Sequence, residues 1–300
     1  MLDWQNEIEM IYEKHRNRIE QCDPNGLLYH YTSPSGLIGI LNSQKVWLSD
    51  SDYLNDSSES YYFYEVYHEV DRKERESRKE ENFRLNAGIL PYFHSSQYNR
   101  SRITSERKPE KRYIVSFSLD KDNLGLWNYY TKTQGSVGYT IGFSNSVLNT
   151  ALETEYDIVQ GKVIYDYDVQ INYLQELIDD YWRLYQKLRH TYQRKYLFLK
   201  LERNVVLYSV FMKDSAFENE KEYRFAVIEV GNTKLADKLF REVNGAFVPY
   251  ITTPIDVKAI REVGISPTHR GGFVTRSLEE LLAAKKITAE IYTSNIPLRY

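Results

Sequence analysis

Short segments of alternating apolar and polar residues run through this chain almost from end to end, and helical segments of very unequal length separate them. Period-two alternation with β-branched and aromatic residues predicts strands at 27–32, 46–49, 113–118, 137–143, 158–166, 222–229, 247–251, 259–266 and 287–292. A regular parallel sheet needs a crossover helix between successive strands. Here some strands follow one another closely, while one helical pattern covers about 169–212. That unevenness predicts an α+β fold rather than a repeated βαβ fold.

The helices have their own signals. Trp4, Ile8, Tyr12, His15 and Ile19 recur at three-to-four spacing and predict a helix over 3–20, within a helical N-terminal segment at 1–22. Ser33-Pro34 reads as an N-cap followed by proline in the first turn. A further helix begins near Glu59 and runs into a dense mixture of Arg, Lys and Glu at 71–84, a solvated face. Ile171, Leu174, Ile178, Tyr181, Tyr185, Leu188, Tyr192 and Leu199 predict one long helix from 169 to 202, with 205–212 continuing it beyond a bend. A last helix is expected at 277–285. The expected organisation is one domain over 1–300 with a charged helix and loop insertion at about 60–112.

Charge and cysteine content exclude several classes. Net charge is −3, so no global field attracts nucleic acid or a membrane. The single cysteine, Cys22, cannot form an internal disulfide. The polar, acidic opening lacks a basic start and an apolar core of about 7–15 residues, and no apolar run approaches the roughly 20 residues of a membrane span. A cytoplasmic protein is the expectation. The 27 tyrosines suit a half-wet core and polar-tipped pockets.

Common catalytic signatures are missing. There is no GxGxxG, no GxxxxGK[ST] and no GxSxG. The histidines, His15, His30, His68, His94, His190 and His269, form neither HExxH nor a zinc spacing. No metal is expected. Any chemistry must come from scattered side chains that meet in the fold.

Four polar segments exceed what a core needs. Tyr29-His30-Tyr31-Thr32 lies in a strand entering a helix, with His30 and Thr32 on one face. Ser49 to Asp56 is an acidic loop. Ser116 and Ser118 share a strand face and precede Trp127 and Tyr130. Glu220-Lys221-Glu222-Tyr223-Arg224 opens a strand on which Glu222 and Arg224 share a face. Each also has a plain structural reading, as core packing, turn chemistry or edge charge.

In order along the chain, Leu28 to Ser33 (LYHYTS), Val46 to Asp56 (VWLS…YLND), Ser116 to Gly142 (SFS, then W-x-x-Y) and Glu220 to Arg224 (EKEYR) resemble a bacterial family described only as a domain of unknown function. Ile260 to Thr268 resembles its closing strand. The layout also resembles the ADP-ribosyltransferase superfamily. That resemblance implies a split, mostly antiparallel sheet with NAD in its cleft. It implies Glu222 as the catalytic carboxylate and His30 against the adenosine-side ribose. Ser116, Ser118 and Tyr130 would line the nicotinamide side, with Tyr31, Thr32, Trp127 and Arg224 as further cofactor-binding positions. Which of Ser118, Trp127 or Tyr130 completes the middle of the site is open.

The implied function is NAD-dependent ADP-ribosyl transfer to a protein or nucleic-acid acceptor, as in a toxin-like or phage-defence effector, with a neutralising partner protein a further expectation. The alternatives are an NAD glycohydrolase and a non-catalytic nucleotide- or partner-binding module. A nuclease would need clustered acids, and only Asp50, Asp52 and Asp56 come close. Arg100, Arg102, Arg107, Lys108, Lys111 and Arg112, with Tyr98 among them, suggest a basic loop that meets an anionic acceptor.

Overall fold

A computed structural model describes residues 3–53, 58–77, 111–130, 137–153, 156–229, 238–243, 245–267 and 272–297. Their strands form one sheet: β1 (Leu27–Thr32), β2 (Lys45–Asp50), β3 (Lys111–Ser118), β4 (Tyr139–Ser144), β5 (Ile158–Lys162), β6 (Glu222–Glu229), β7 (Leu239–Val243), β8 (Ala246–Pro254), β9 (Ile260–Ile265) and β10 (Glu290–Thr293). The order is β10-β9-β4-β1-β3-β2-β8-β7, and β6, backed by β5, also pairs with β3. Strands β9 and β10 run parallel, and the remaining pairs are antiparallel. The fold is therefore α+β with a large, mostly antiparallel sheet.

The helices are α1 (Asp3–Arg16), α2 (Pro34–Ser43), α3 (Ser58–Ser77), α4 (Leu124–Tyr130), α5 (Asn145–Leu152), α6 (Tyr167–Lys187), α7 (Thr191–Phe211) and α8 (Gly272–Ala284). Alternation along the strands divides the core in two. Ile114 and Ala226 face a helical layer made by Ile8, Phe63, Leu174, Tyr181, Leu201 and Tyr208. Tyr113, Val115, Phe117, Tyr223 and Phe225 face the other way, onto Leu37, Leu41, Leu148, Leu278 and Leu282. Each buried Leu, Ile, Val or Phe among these contributes about 1.5–3 kcal/mol. Helix α8 is the crossover that lets β9 and β10 run parallel.

Three helical expectations change, the last helix beginning at Gly272, five residues ahead of the expected 277. The first helix ends at Arg16, short of residue 20. The expected single long helix is two, because Leu188 adopts an extended backbone and His190 restarts the chain, its N–H donating to the Gln193 side chain at 3.2 Å. Ile171 to Leu188 are buried at the expected positions, but Tyr192 and Leu199 are exposed. The apolar beat therefore does not cross the break. Helix α2 starts as read: the Ser33 hydroxyl accepts from the Gly36 N–H at 3.2 Å. A Cβ on Gly36 would fall 2.0 Å from the Thr32 hydroxyl, so the turn requires glycine.

Helix α1 is fastened by a buried imidazole. His15 Nε2 donates to Asp180 at 3.1 Å, and Nδ1 accepts from the Tyr208 hydroxyl at 2.8 Å. Burial holds its pKa down at about 4, although Asp180 pulls the other way. The folded value lies below the ordinary 6.5. This stabilisation is therefore complete above about pH 6.5 and declines as pH falls toward about 4, where the unfolded chain takes up the proton first. The full span is on the order of 3 kcal/mol. Urea midpoints at pH 7 and pH 4.5 should differ less in His15→Gln than in the wild type. An equal difference in both proteins refutes this account of His15.

Among the described residues, no helix is long and apolar enough to cross a membrane.

Candidate functional site

Strand β3 has two unlike edges. One is zipped to β6 along its whole length, from Lys111↔Glu229 to Ser118↔Glu222. The other is divided between two strands. Strand β1 meets it at Tyr29↔Ser118, and β2 meets it at Ser49↔Ile114 and Asp50↔Tyr113. Neither pairs in register with 115–117 on that edge. Strand β1 is drawn aside because it pairs with β4 over all six of its residues, while β2 goes with β8. The sheet splits between them.

The His30 ring stands at this split. Nδ1–H donates to the Ser116 carbonyl at 3.1 Å, where a paired strand would have offered a backbone N–H. The ring also packs against Phe117, with centroids 5.6 Å apart. Burial lowers the His30 pKa; the Ser116 bond raises it, and the Arg241 charge lowers it further. The imidazole is therefore neutral near pH 7. With Nδ1 carrying the proton, Nε2 is an acceptor, suited to a hydroxyl.

Arg241, on β7, approaches from the other side of the split. It donates to the Ser49 hydroxyl at 2.9 Å, and its guanidinium lies 5.6 Å from the Trp47 ring. Trp47 is 42% exposed and sits 4.6 Å from the Tyr250 ring.

Glu222 begins β6 beside Ser118. Its Oε2 accepts from Arg224 Nη2 at 2.5 Å and Nε at 3.1 Å, and from the Lys213 ammonium at 3.4 Å. Arg224 is fully buried and also donates to the Val210 carbonyl at 2.8 Å. Lys213 is shared with Glu220, at 2.6 Å. The Glu222 N–H donates to the Tyr165 hydroxyl at 3.0 Å. Both cations bind one carboxylate oxygen. Among the described residues no hydrogen bond reaches Oε1. The side chain of Glu222 is 12% exposed.

The sequence-derived positions divide into groups. His30 meets Ser116 through the backbone, and Glu222 meets Arg224, as their shared face implied. Register places Tyr29, Ser118 and Glu222 abreast on one face and starts His30 on the other, beside Phe117. The backbones of Tyr29 and Glu222 lie two strand spacings apart, roughly 10 Å. The Ser118 hydroxyl donates to the Glu220 carbonyl at 2.7 Å and accepts from the Asp120 N–H at 3.0 Å. The Tyr31 hydroxyl bridges Asp120 and Asn123. Trp127 is fully buried against Tyr31 and donates to Asp122 at 2.7 Å. These three fasten the turn after β3. Thr32 is buried beside Gly36. The Tyr130 side chain lies outside the described residues, as do Leu54 to Asp56.

Of the expected basic loop, 100–110 lies outside the described residues. Lys111 and Arg112 belong to β3 instead. Lys111 binds Asp50 at 3.0 Å and Asp52 at 2.9 Å; Arg112 binds Asp52 at 3.2 Å and Ser209 at 2.9 Å. Burial lowers the Lys111 pKa, but the two carboxylates outweigh it and the net shift is upward. Asp50 and Asp52 thus serve as partners for strand cations. No group of three or more metal-ligating side chains is found among the described residues.

Sequence reading missed Lys213 and Arg241. A lysine just after a helix reads as an ordinary partner for the helix dipole. Arg241 lies in a strand whose residues show no clear alternation.

Residues 126–225 match a family described as a protein of unknown function, DUF2971. The matched stretch runs from α4 to the middle of β6 and includes Trp127, Lys213, Glu222 and Arg224. No curated protein and no solved structure matches the chain.

Proposed function

We propose that this chain is an NAD-consuming enzyme of the ADP-ribosyltransferase type, with Glu222 as its catalytic carboxylate and His30 as a ribose-binding residue. The observation that carries the reading is the divided edge of β3, with a neutral imidazole standing in the split and an ion-paired carboxylate on the neighbouring strand. Cleavage between ribose and nicotinamide builds oxocarbenium-like positive charge. A carboxylate held in place by Arg224 and Lys213, with Oε1 left over, can face such a charge. An imidazole locked as an Nε2 acceptor suits a ribose hydroxyl, while the Ser116 hydroxyl projects from the opposite face of β3, the face of Ser118 and Glu222. The half-exposed Trp47 ring, with Tyr250 tilted 30° against it, offers an aromatic face for a base.

The purified protein should release nicotinamide from NAD, followed by chromatography with and without cell extract as a source of acceptor. Label remaining on protein or nucleic acid marks transfer; free ADP-ribose marks hydrolysis. No nicotinamide under either condition sinks the reading. His30→Ala should raise KM about tenfold and leave kcat within a few-fold, because its contact is made equally to bound and reacting substrate. A loss confined to kcat removes His30 from the binding role.

A further inference from the structure

We propose that Lys213 is a positioning residue for Glu222, acting through the carboxylate and not on the substrate. The inference rests on the proposed role of Glu222.

The lysine is an unusual one. It follows directly on the end of α7, is buried, and its ammonium lies within 3.4 Å of two carboxylates, Glu220 and Glu222. A buried ammonium is costly unless it is paired. Its backbone is held on both sides. The Lys213 N–H donates to the Ile164 carbonyl at 3.1 Å. The fully buried Gln170 amide donates to the Ile164 and Lys213 carbonyls at 2.7 and 2.9 Å, and its oxygen accepts from Tyr62 at 2.7 Å. The side chain therefore extends from a fixed point, with its ammonium 4.5 Å from the Phe217 ring centre.

Arg224 alone does not define where the free oxygen of Glu222 points. Its guanidinium grips Oε2 from within the same strand. Lys213 reaches the same oxygen from a different element, so Oε2 is held from two directions and the carboxylate plane has little freedom left. The lysine also separates two like charges. Glu220 and Glu222 both approach one nitrogen, and without it they would face each other in a poorly solvated place. Glu222 would then turn away, and its charge would no longer be aimed at the reacting ribose. Because its ammonium is committed to protein carboxylates, Lys213 itself is not a substrate contact.

A purely structural role would be to fasten the turn before β6. Kinetics separate the two. Nicotinamide release is measured for wild type, Lys213→Met, Lys213→Arg, Glu222→Gln and the Lys213→Met/Glu222→Gln double variant. Near-UV circular dichroism establishes that each is folded, and Lys213→Gln replaces the Met variant if that one is not. Lys213→Met should lower kcat roughly 10- to 100-fold, as expected for a misaimed catalytic group, with KM within about twofold. Lys213→Arg should recover most of the loss. In the Glu222→Gln background the Met substitution should add nothing, since the group it positions is already gone. A folded Lys213→Met protein with wild-type kcat overturns the inference and leaves Glu222 in its role. So does a loss that Arg does not recover, or one that persists undiminished in the Glu222→Gln background. If Glu222→Gln turns over like the wild type, or the wild type releases no nicotinamide, the catalytic reading falls and this inference falls with it.

Discussion

Glu222→Gln should lower nicotinamide release about 10²- to 10³-fold, the scale seen when a fixed electrostatic partner of a transition state is removed. The surroundings of the side chain explain why so small a change is so damaging. Arg224 and Lys213 both donate to Oε2. In the variant they attract the amide oxygen, which forces the NH2 into the place of Oε1. A partial positive charge then faces the developing cation, so the substitution reverses the local field as well as weakening it. The fold should survive, because both cations keep an acceptor. Substrate binding should change little, which places the effect on kcat. Retention of full turnover in a folded Glu222→Gln protein removes this residue from the chemistry.

Arg224→Met should cost about 3–5 kcal/mol of stability, the usual result of breaking a buried ion pair from one side. The guanidinium is fully buried, and its partners include the Glu222 carboxylate and the Val210 carbonyl near the end of α7. Methionine fills similar space but leaves that carbonyl without this donor and the carboxylate with Lys213 alone. Replacing Glu222 by Leu in the same chain should return part of the loss, since it removes the stranded charge. Urea unfolding of the two single variants and the double variant closes the cycle. A loss below about 1 kcal/mol in Arg224→Met shows that the pair is not a structural element of the core.

The strands were legible where alternation met burial. Residues 27–32 and 222–229 alternate between two cores, and their bounds match β1 and β6. Strand β7 was not, because Leu239 and Phe240 are exposed neighbours rather than an alternating pair. The break between α6 and α7 carries no glycine or proline; it depends on the extended Leu188 and the restart at His190, which local pattern does not reveal. In the site, the shared face of Glu222 and Arg224 followed from strand period alone. The meeting of His30 with the Ser116 carbonyl did not, because it depends on β1 and β2 diverging along one edge of β3. Ser118 and Trp127 looked like ligand positions because they are polar and aromatic beside a strand end. Their hydrogen bonds are used in holding the turn at 119–123.

The packing of α1 against α6 and α7 means that the order of synthesis and the order of assembly must differ. The apolar side of α1, with Ile8 at its centre, rests on helices that end only at Phe211. At ribosomal rates of about 5–20 residues per second, α1 waits roughly 10–40 s for the surface it docks on. Strand β2 waits longer, since its full-length neighbour is β8. Until then the nascent N-terminal segment carries an uncovered apolar stripe and an open strand edge, both features that holding chaperones bind. Slow codons between residues 51 and 211 should prolong that exposure, read as stronger crosslinking of ribosome-bound chains to a holding chaperone.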